Sequence, residues 1–184
     1  MAQWPATFWL WFAKFGLFDS SIYFDQGLLT NQIAGQGAIE VASLLTLAMV
    51  VAVAITVWLG VKAYRAGADS KALFAVMGLT ATLDLIVFNK VGSPQFEGWL
   101  AVPIIAFVIF KQHGWRFATI TGLVLAFLTN LIYPVFYLDL MGMGWTSIGL
   151  LTVRNLLLIG FLVWANIKLS GLSKSKPAEV AISR

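Results

Sequence analysis

Asp84, Lys90 and Arg154 are charged side chains set in, or directly against, long apolar runs. A lone charge inside hydrocarbon costs roughly 2.5–3.5 kcal/mol on insertion scales, so each of the three needs a reason. Asp84 stands in LTATLDLIVF and Arg154 in LLTVRNLLL. Two opposite charges at similar depth can offset part of the cost by pairing, which gives a structural Asp84–Arg154 bridge. The same two residues can instead line a polar cavity that holds an anionic group beside Arg154. Asp84 as a catalytic base is a third reading. Lys90 has its own pair of readings: a charge-assisted hydrogen bond to a lipid-linked phosphate, or a stem that snorkels to lipid headgroups.

The stretch Asn89-Lys90-Val91-Gly92-Ser93-Pro94-Gln95-Phe96 concentrates polar groups at one end of an apolar run. Ser93 can cap the next helix, with Pro94 in the first position, where its missing N–H costs nothing. Glu97 falls in the first turn, where the helix dipole favours a carboxylate. Capping explains Ser-Pro and Glu, but not the clustering of Asn89, Lys90 and Gln95. The candidate substrate-binding set is therefore Asn89, Lys90, Ser93, Pro94, Gln95, Asp84 and Arg154, with no catalytic residue assigned.

Other chemistry is excluded by composition. The chain has no cysteine and one histidine, His113, so neither a thiolate nor a histidine-rich metal centre can form. No phosphate loop, dinucleotide fingerprint or zinc motif occurs, and neither a cofactor nor a metal is expected. His113, in KQHGWR, reads as an interfacial loop residue. Trp4, Trp9, Trp11, Trp99, Trp115 and Trp145 fit an aromatic belt, and Asn130 and Tyr133 can hydrogen-bond between helices.

The elements that position these groups are membrane helices. Of the 184 residues, 60% are hydrophobic and 11% charged, against about 25% charged in soluble domains, so the excess apolar surface must meet lipid. The apolar runs predict an all-α transmembrane bundle of about five or six spans. They cover residues 41–64, 72–88, 94–110, 117–138 and 147–167, with Pro103 kinking the third and Pro134 near the end of the fourth. Residues 4–18 are aromatic but too short for a comfortable span, which favours an interfacial or re-entrant helix over a sixth crossing. Residues 19–40 read as a polar loop. The whole forms one helical module over residues 1–169 with a loose tail over 170–184.

Alternating these spans collects Lys62, Arg65, Lys71, Lys111, Arg116, Lys168, Lys174, Lys176 and Arg184 on one side. The other side receives Lys90 and Lys14 with Asp19, Asp25, Glu40, Glu97 and Asp139. By the positive-inside rule the basic side is cytoplasmic, which makes this a multi-pass plasma-membrane protein with its C-terminus inside. The formal charge of +4 thus marks topology, and no nucleic-acid partner is expected.

Phe88 to Phe96, followed by Trp99-Leu100 and Pro103, resembles a family pattern. It is similar to the Lys-x-x-Ser-Pro-Gln-(Tyr/Phe)-x-x-Trp-Leu segment of polytopic GT-C mannosyltransferases of actinobacterial type, which use polyprenyl-phosphate mannose. Gly35-Gln36-Gly37 leading into a long span is also similar to their arrangement. The resemblance runs over roughly residues 20 to 110 and more loosely over the last two spans. It implies a membrane-lipid environment, a polyprenyl-phosphate sugar donor, and matched motif positions at Asn89, Lys90, Ser93, Pro94 and Gln95. Members of that family are longer, and their catalytic acid lies in an N-terminal half with no counterpart here. The resemblance therefore implies the C-terminal part of such an enzyme: the chain is a fragment, a partner chain supplies the missing half, or the activity is lost. A non-catalytic subunit of a larger membrane complex, docking by small-residue helix faces, is an alternative. A small transporter using Asp84 and Arg154 is another, although no internal repeat is visible.

Overall fold

The computed structural model describes residues 4–17, 19–27, 30–90 and 92–174. In chain order the elements are α1 (Ala6–Lys14), a hairpin of β1 (Ser21–Asp25) and β2 (Thr30–Ala34), α2 (Ala38–Arg65) and α3 (Ser70–Phe88). A 3₁₀ segment (Pro94–Leu100) runs on into α4 (Ala101–Ile109). Then come α5 (Trp115–Asn130), a π-helical turn (Leu131–Val135), α6 (Tyr137–Met141) and α7 (Trp145–Leu172).

Four helices are long and apolar enough to cross a membrane: Ala38–Arg65, Ser70–Phe88, Trp115–Val135 and Trp145–Leu172. They make the chain an all-α bundle of membrane-protein type. Pro94–Ile109 is shorter, yet it extends along the bundle from Thr129 at one end to Phe74 at the other. Seven of its residues are 3₁₀, which rises about 2.0 Å per residue instead of about 1.5 Å, so it reaches about 27 Å. Pro103 lies in the first turn of α4, just past the point where 3₁₀ geometry gives way to α-helix.

Capping fixes where the helices begin. The Asp69 carboxylate accepts from Ala72 N–H at 2.9 Å and starts α3. The Asp139 carboxylate accepts from Ser147 N–H at 3.2 Å and occupies the space a Cβ on Gly144 would need, at the positive end of the α7 dipole. α5 ends at Asn130, and within the π-helical turn that follows Tyr133 leaves helical geometry (φ −123°, ψ 104°) ahead of Pro134. The expected span to residue 138 is therefore cut short, and α6 is a separate short helix.

α3 lies at the centre, packed on α2, α4 and α7, with Leu79, Leu83, Phe107 and Phe161 fully enclosed. α2 is the opposite case, with Leu47, Val51, Ile55 and Trp58 turned outward for lipid. Lys62, Arg65, Lys71, Lys111, Arg116, Lys168 and Lys174 gather at one end of the bundle, the basic end. His113 sits there as expected of a loop residue, its Nδ1 2.8 Å from Lys168 Nζ.

Two further sequence expectations change, those for residues 19–40 and for the end of α7, while the favoured reading of 4–18 stands. Residues 19–40 are not simply a loop: Ile22 pairs with Ile33 and Tyr23 with Gln32 in an antiparallel hairpin. The side-chain alternation of a strand then divides its faces. Ile22 and Ile33 pack towards Leu10 and Ile148, while Tyr23, Asp25 and Gln32 take the other face. The 4–18 segment contributes a helix of nine residues, about 14 Å, so it is no sixth crossing. It stands antiparallel against the first half of α7, with Trp11 Nε1 donating to Thr152 Oγ1 at 2.9 Å and Thr7 meeting Asn155. Finally, α7 continues as helix through Leu172, past the expected start of the tail. Residues 175–184 of that tail lie outside the described residues.

Candidate functional site

Arg154 is 3% exposed and lies about two and a half turns into α7. Its partner is Glu97, not Asp84. The guanidinium Nη2 forms an ion pair with Glu97 Oε1, and Glu97 itself is 8% exposed. Thr129 Oγ1 donates to Glu97 Oε2, and Arg154 Nε reaches the same hydroxyl at 3.4 Å. Arg154 Nη1 donates to Asn155 Oδ1 at 2.9 Å, and Asn155 Nδ2 donates to Thr7 Oγ1 at 2.9 Å. One chain of polar contacts thus joins the 3₁₀ segment, α5, α7 and α1. Compensation of this completeness is what lets two charges sit inside an apolar bundle.

Asp84 belongs elsewhere. It is 2% exposed between α3 and α2, and its Oδ2 accepts from Thr56 Oγ1 at 2.6 Å. α3 and α7 pack against each other, but Asp84 turns to α2 while Arg154 turns to the 3₁₀ segment and α5. Lys90 lies apart from both, exposed on a crevice formed with α1, the hairpin and α2. The expected shared recess of Asp84, Lys90 and Arg154 does not form.

The motif residues distribute over three spaces. Asn89 ends α3 in extended geometry (φ −66°, ψ 145°), which turns the chain away from the helix axis. Ser93, with Gly92, Trp4, Phe96, Arg154 and Asn155, bounds a cavity of about 10 Å³, room for a single water molecule. Ser93 precedes the 3₁₀ segment with Pro94 at its start, although the hydroxyl makes no capping bond. Pro94 and Gln95 open onto a groove of about 550 Å³ between the 3₁₀–α4 segment and α5.

That groove has two chemically distinct ends. Ile104, Ile105, Leu123 and Ala126 make its apolar walls, with Ile105, Leu123 and Ala126 on the outer, exposed side, and Gly122 lets Ile104 lie directly against the α5 backbone. Gln95, Glu97, Thr129, Asn130 and Tyr133 supply polar atoms towards the end remote from the basic residues. Asn130 and Tyr133, expected as interhelical hydrogen-bonding groups, line this wall. Because Glu97 is paired with Arg154 directly behind it, the polar end carries no net charge. The groove is thus mostly apolar and ends in amide, hydroxyl, carboxylate and phenol groups.

Sequence reasoning missed Glu97 as the partner and Thr56 and Thr129 as donors. The signal for Glu97 was present, since it is an acid at the start of an apolar segment and opposite in charge to Arg154. Thr56 and Thr129 carried none, because threonine is unremarked in membrane helices.

Comparison of the chain with known protein families, with curated proteins and with solved structures finds no match.

Proposed function

We propose that this protein is a membrane module that holds a polyprenyl-phosphate sugar by its chain, as the lipid-handling part of a GT-C-like glycosyl transfer system. The observation that carries this reading is the groove of about 550 Å³, largely apolar with most of its polar groups towards one end, and with Pro94 and Gln95 of the sequence motif in its lining. An isoprenoid chain fits the Ile104–Leu123–Ala126 walls. Gln95, Asn130 and Tyr133 supply N–H and O–H donors for a phosphate or for sugar hydroxyls. Mannose is the sugar that the motif resemblance suggests.

The module does not itself carry the catalytic acid in this reading. Glu97 is engaged by Arg154 and Thr129, and Asp84 by Thr56, so both buried carboxylates act as structural partners. A general base for the acceptor hydroxyl comes from a further polypeptide segment or a partner chain. Membranes supplied with labelled polyprenyl-phosphate mannose are expected to show transfer that disappears when this chain is deleted. Transfer at the level of the deletion strain with the chain present overturns the reading.

The basic end faces the cytoplasm of the plasma membrane in this arrangement, and the groove's polar end faces out. The absence of cysteine makes that directly measurable. In intact cells Gln26→Cys is expected to react with a membrane-impermeant maleimide, and Ser173→Cys only after lysis. The reverse pattern inverts the topology.

A further inference from the structure

The crevice that contains Lys90 is separate from the groove and has a different chemistry. It has a volume of about 210 Å³ and lies between the start of α1, the hairpin and the start of α2. Three of its polar side chains come from one hairpin face, since Tyr23 and Gln32 are directly paired across the strands and Asp25 is two residues on from Tyr23. Lys90 adds an ammonium from the end of α3, and Trp9 adds an indole from α1. Ala38, Ile39 and Leu45 of α2 add apolar surface to the lining.

Trp9 is held in place from three sides. Its Nε1 donates to Gln36 O at 3.0 Å, and its own carbonyl accepts from Ser20 Oγ at 2.8 Å. Its ring lies so close over Gly35 that a Cβ there would collide with it. Asp25 is also oriented, accepting from Gly27 N–H at 2.8 Å in the turn after β1. The aromatic wall and the carboxylate are therefore preorganised, which lowers the ordering cost of binding.

We propose that this crevice binds a single sugar ring. The charges argue for a neutral ligand, because one carboxylate and one ammonium line the same space and cancel. The polar groups argue for a ligand rich in both donors and acceptors. Asp25 accepts, Lys90 donates, and the Gln32 amide and the Tyr23 phenol do both. Trp9 and Tyr23 call for a ligand that also has an apolar C–H face. The volume is below the roughly 300–1,000 Å³ of sites for drug-sized molecules, which limits the occupant to about one ring. A pyranose satisfies all four conditions. This site does not depend on the groove or its lipid, so it goes beyond the transfer reading.

The test uses the full chain in lipid nanodiscs, with methyl α-mannopyranoside and methyl β-glucopyranoside as probes and saturation-transfer NMR as the readout. Saturable binding of at least one glycoside is expected. Tyr23→Ala and Gln32→Ala should each weaken it about tenfold or more, and Gln112→Ala, at the basic end, should leave it unchanged. Ala126→Trp, which fills the groove, should also leave it unchanged, which separates this site from the lipid site. Three results overturn the proposal: no saturable glycoside binding, equal binding by the crevice variants, or binding of methyl phosphate or tetramethylammonium in preference to both glycosides.

Discussion

Arg154→Ala is expected to lower the stability of the protein by about 3–5 kcal/mol, the usual cost of removing one partner from a buried ion pair. The substitution strands the Glu97 carboxylate inside the bundle with Thr129 as its remaining donor and removes the donor to Asn155 Oδ1. Asn155 in turn holds Thr7, so the loss reaches α1. Glu97→Ala should cost a similar amount by leaving the guanidinium uncompensated. The double variant Arg154→Met with Glu97→Met should recover much of the loss, because it removes both charges and keeps much of the volume. Unfolding of purified protein in detergent, followed by heat or by titrated SDS, measures each term. A double variant no more stable than either single one would mean that the pair is not the reason for the cost.

Ala126→Trp carries the largest expected effect on function. An indole at this position fills the middle of the groove, opposite Ile104 and Ile105. A polyprenyl chain gains no hydrophobic free energy by leaving lipid for the groove, since bilayer tails are equally apolar. Its affinity rests on packing and on polar contacts at Gln95, Asn130 and Tyr133. Blocking the channel lifts the phosphate away from those donors. Loss of two charge-assisted hydrogen bonds at about 1.5 kcal/mol each corresponds to roughly a hundredfold weaker capture. The folded state should be little affected, because Ala126 is exposed to lipid. Retention of labelled polyprenyl phosphate by the purified variant measures this directly, and wild-type retention would remove the groove from the account.

The helices were legible because a membrane span declares itself by length and apolarity alone. The run from 72 to 88 became Ser70–Phe88, and the run from 147 to 167 became Trp145–Leu172. What these runs do not declare is rotation. α3 and α7 are apolar on every side, so no polar face tells which way Asp84 or Arg154 points. The Asp84–Arg154 pairing failed on that degree of freedom alone, and the true partners came from α2, the 3₁₀ segment and α5. The hairpin was obscured differently. Ser21–Asp25 and Thr30–Ala34 are short, and polar residues at alternate positions made them read as loop, although an Asp-Gln-Gly turn stands between them. Of the motif, Pro94 and Gln95 reached the groove, while Lys90 and Ser93 turned to other spaces.

The most direct measurement places a photoreactive benzoylphenylalanine at Ala126 in the groove and, separately, at Leu47 on the lipid-facing side of α2. Membranes containing radiolabelled polyprenyl phosphate are then irradiated. Cross-linking at position 126 that excess unlabelled polyprenyl phosphate competes away, with only weak uncompeted labelling at position 47, is the predicted result. Equal labelling at both positions, untouched by competitor, would contradict the groove as a binding site.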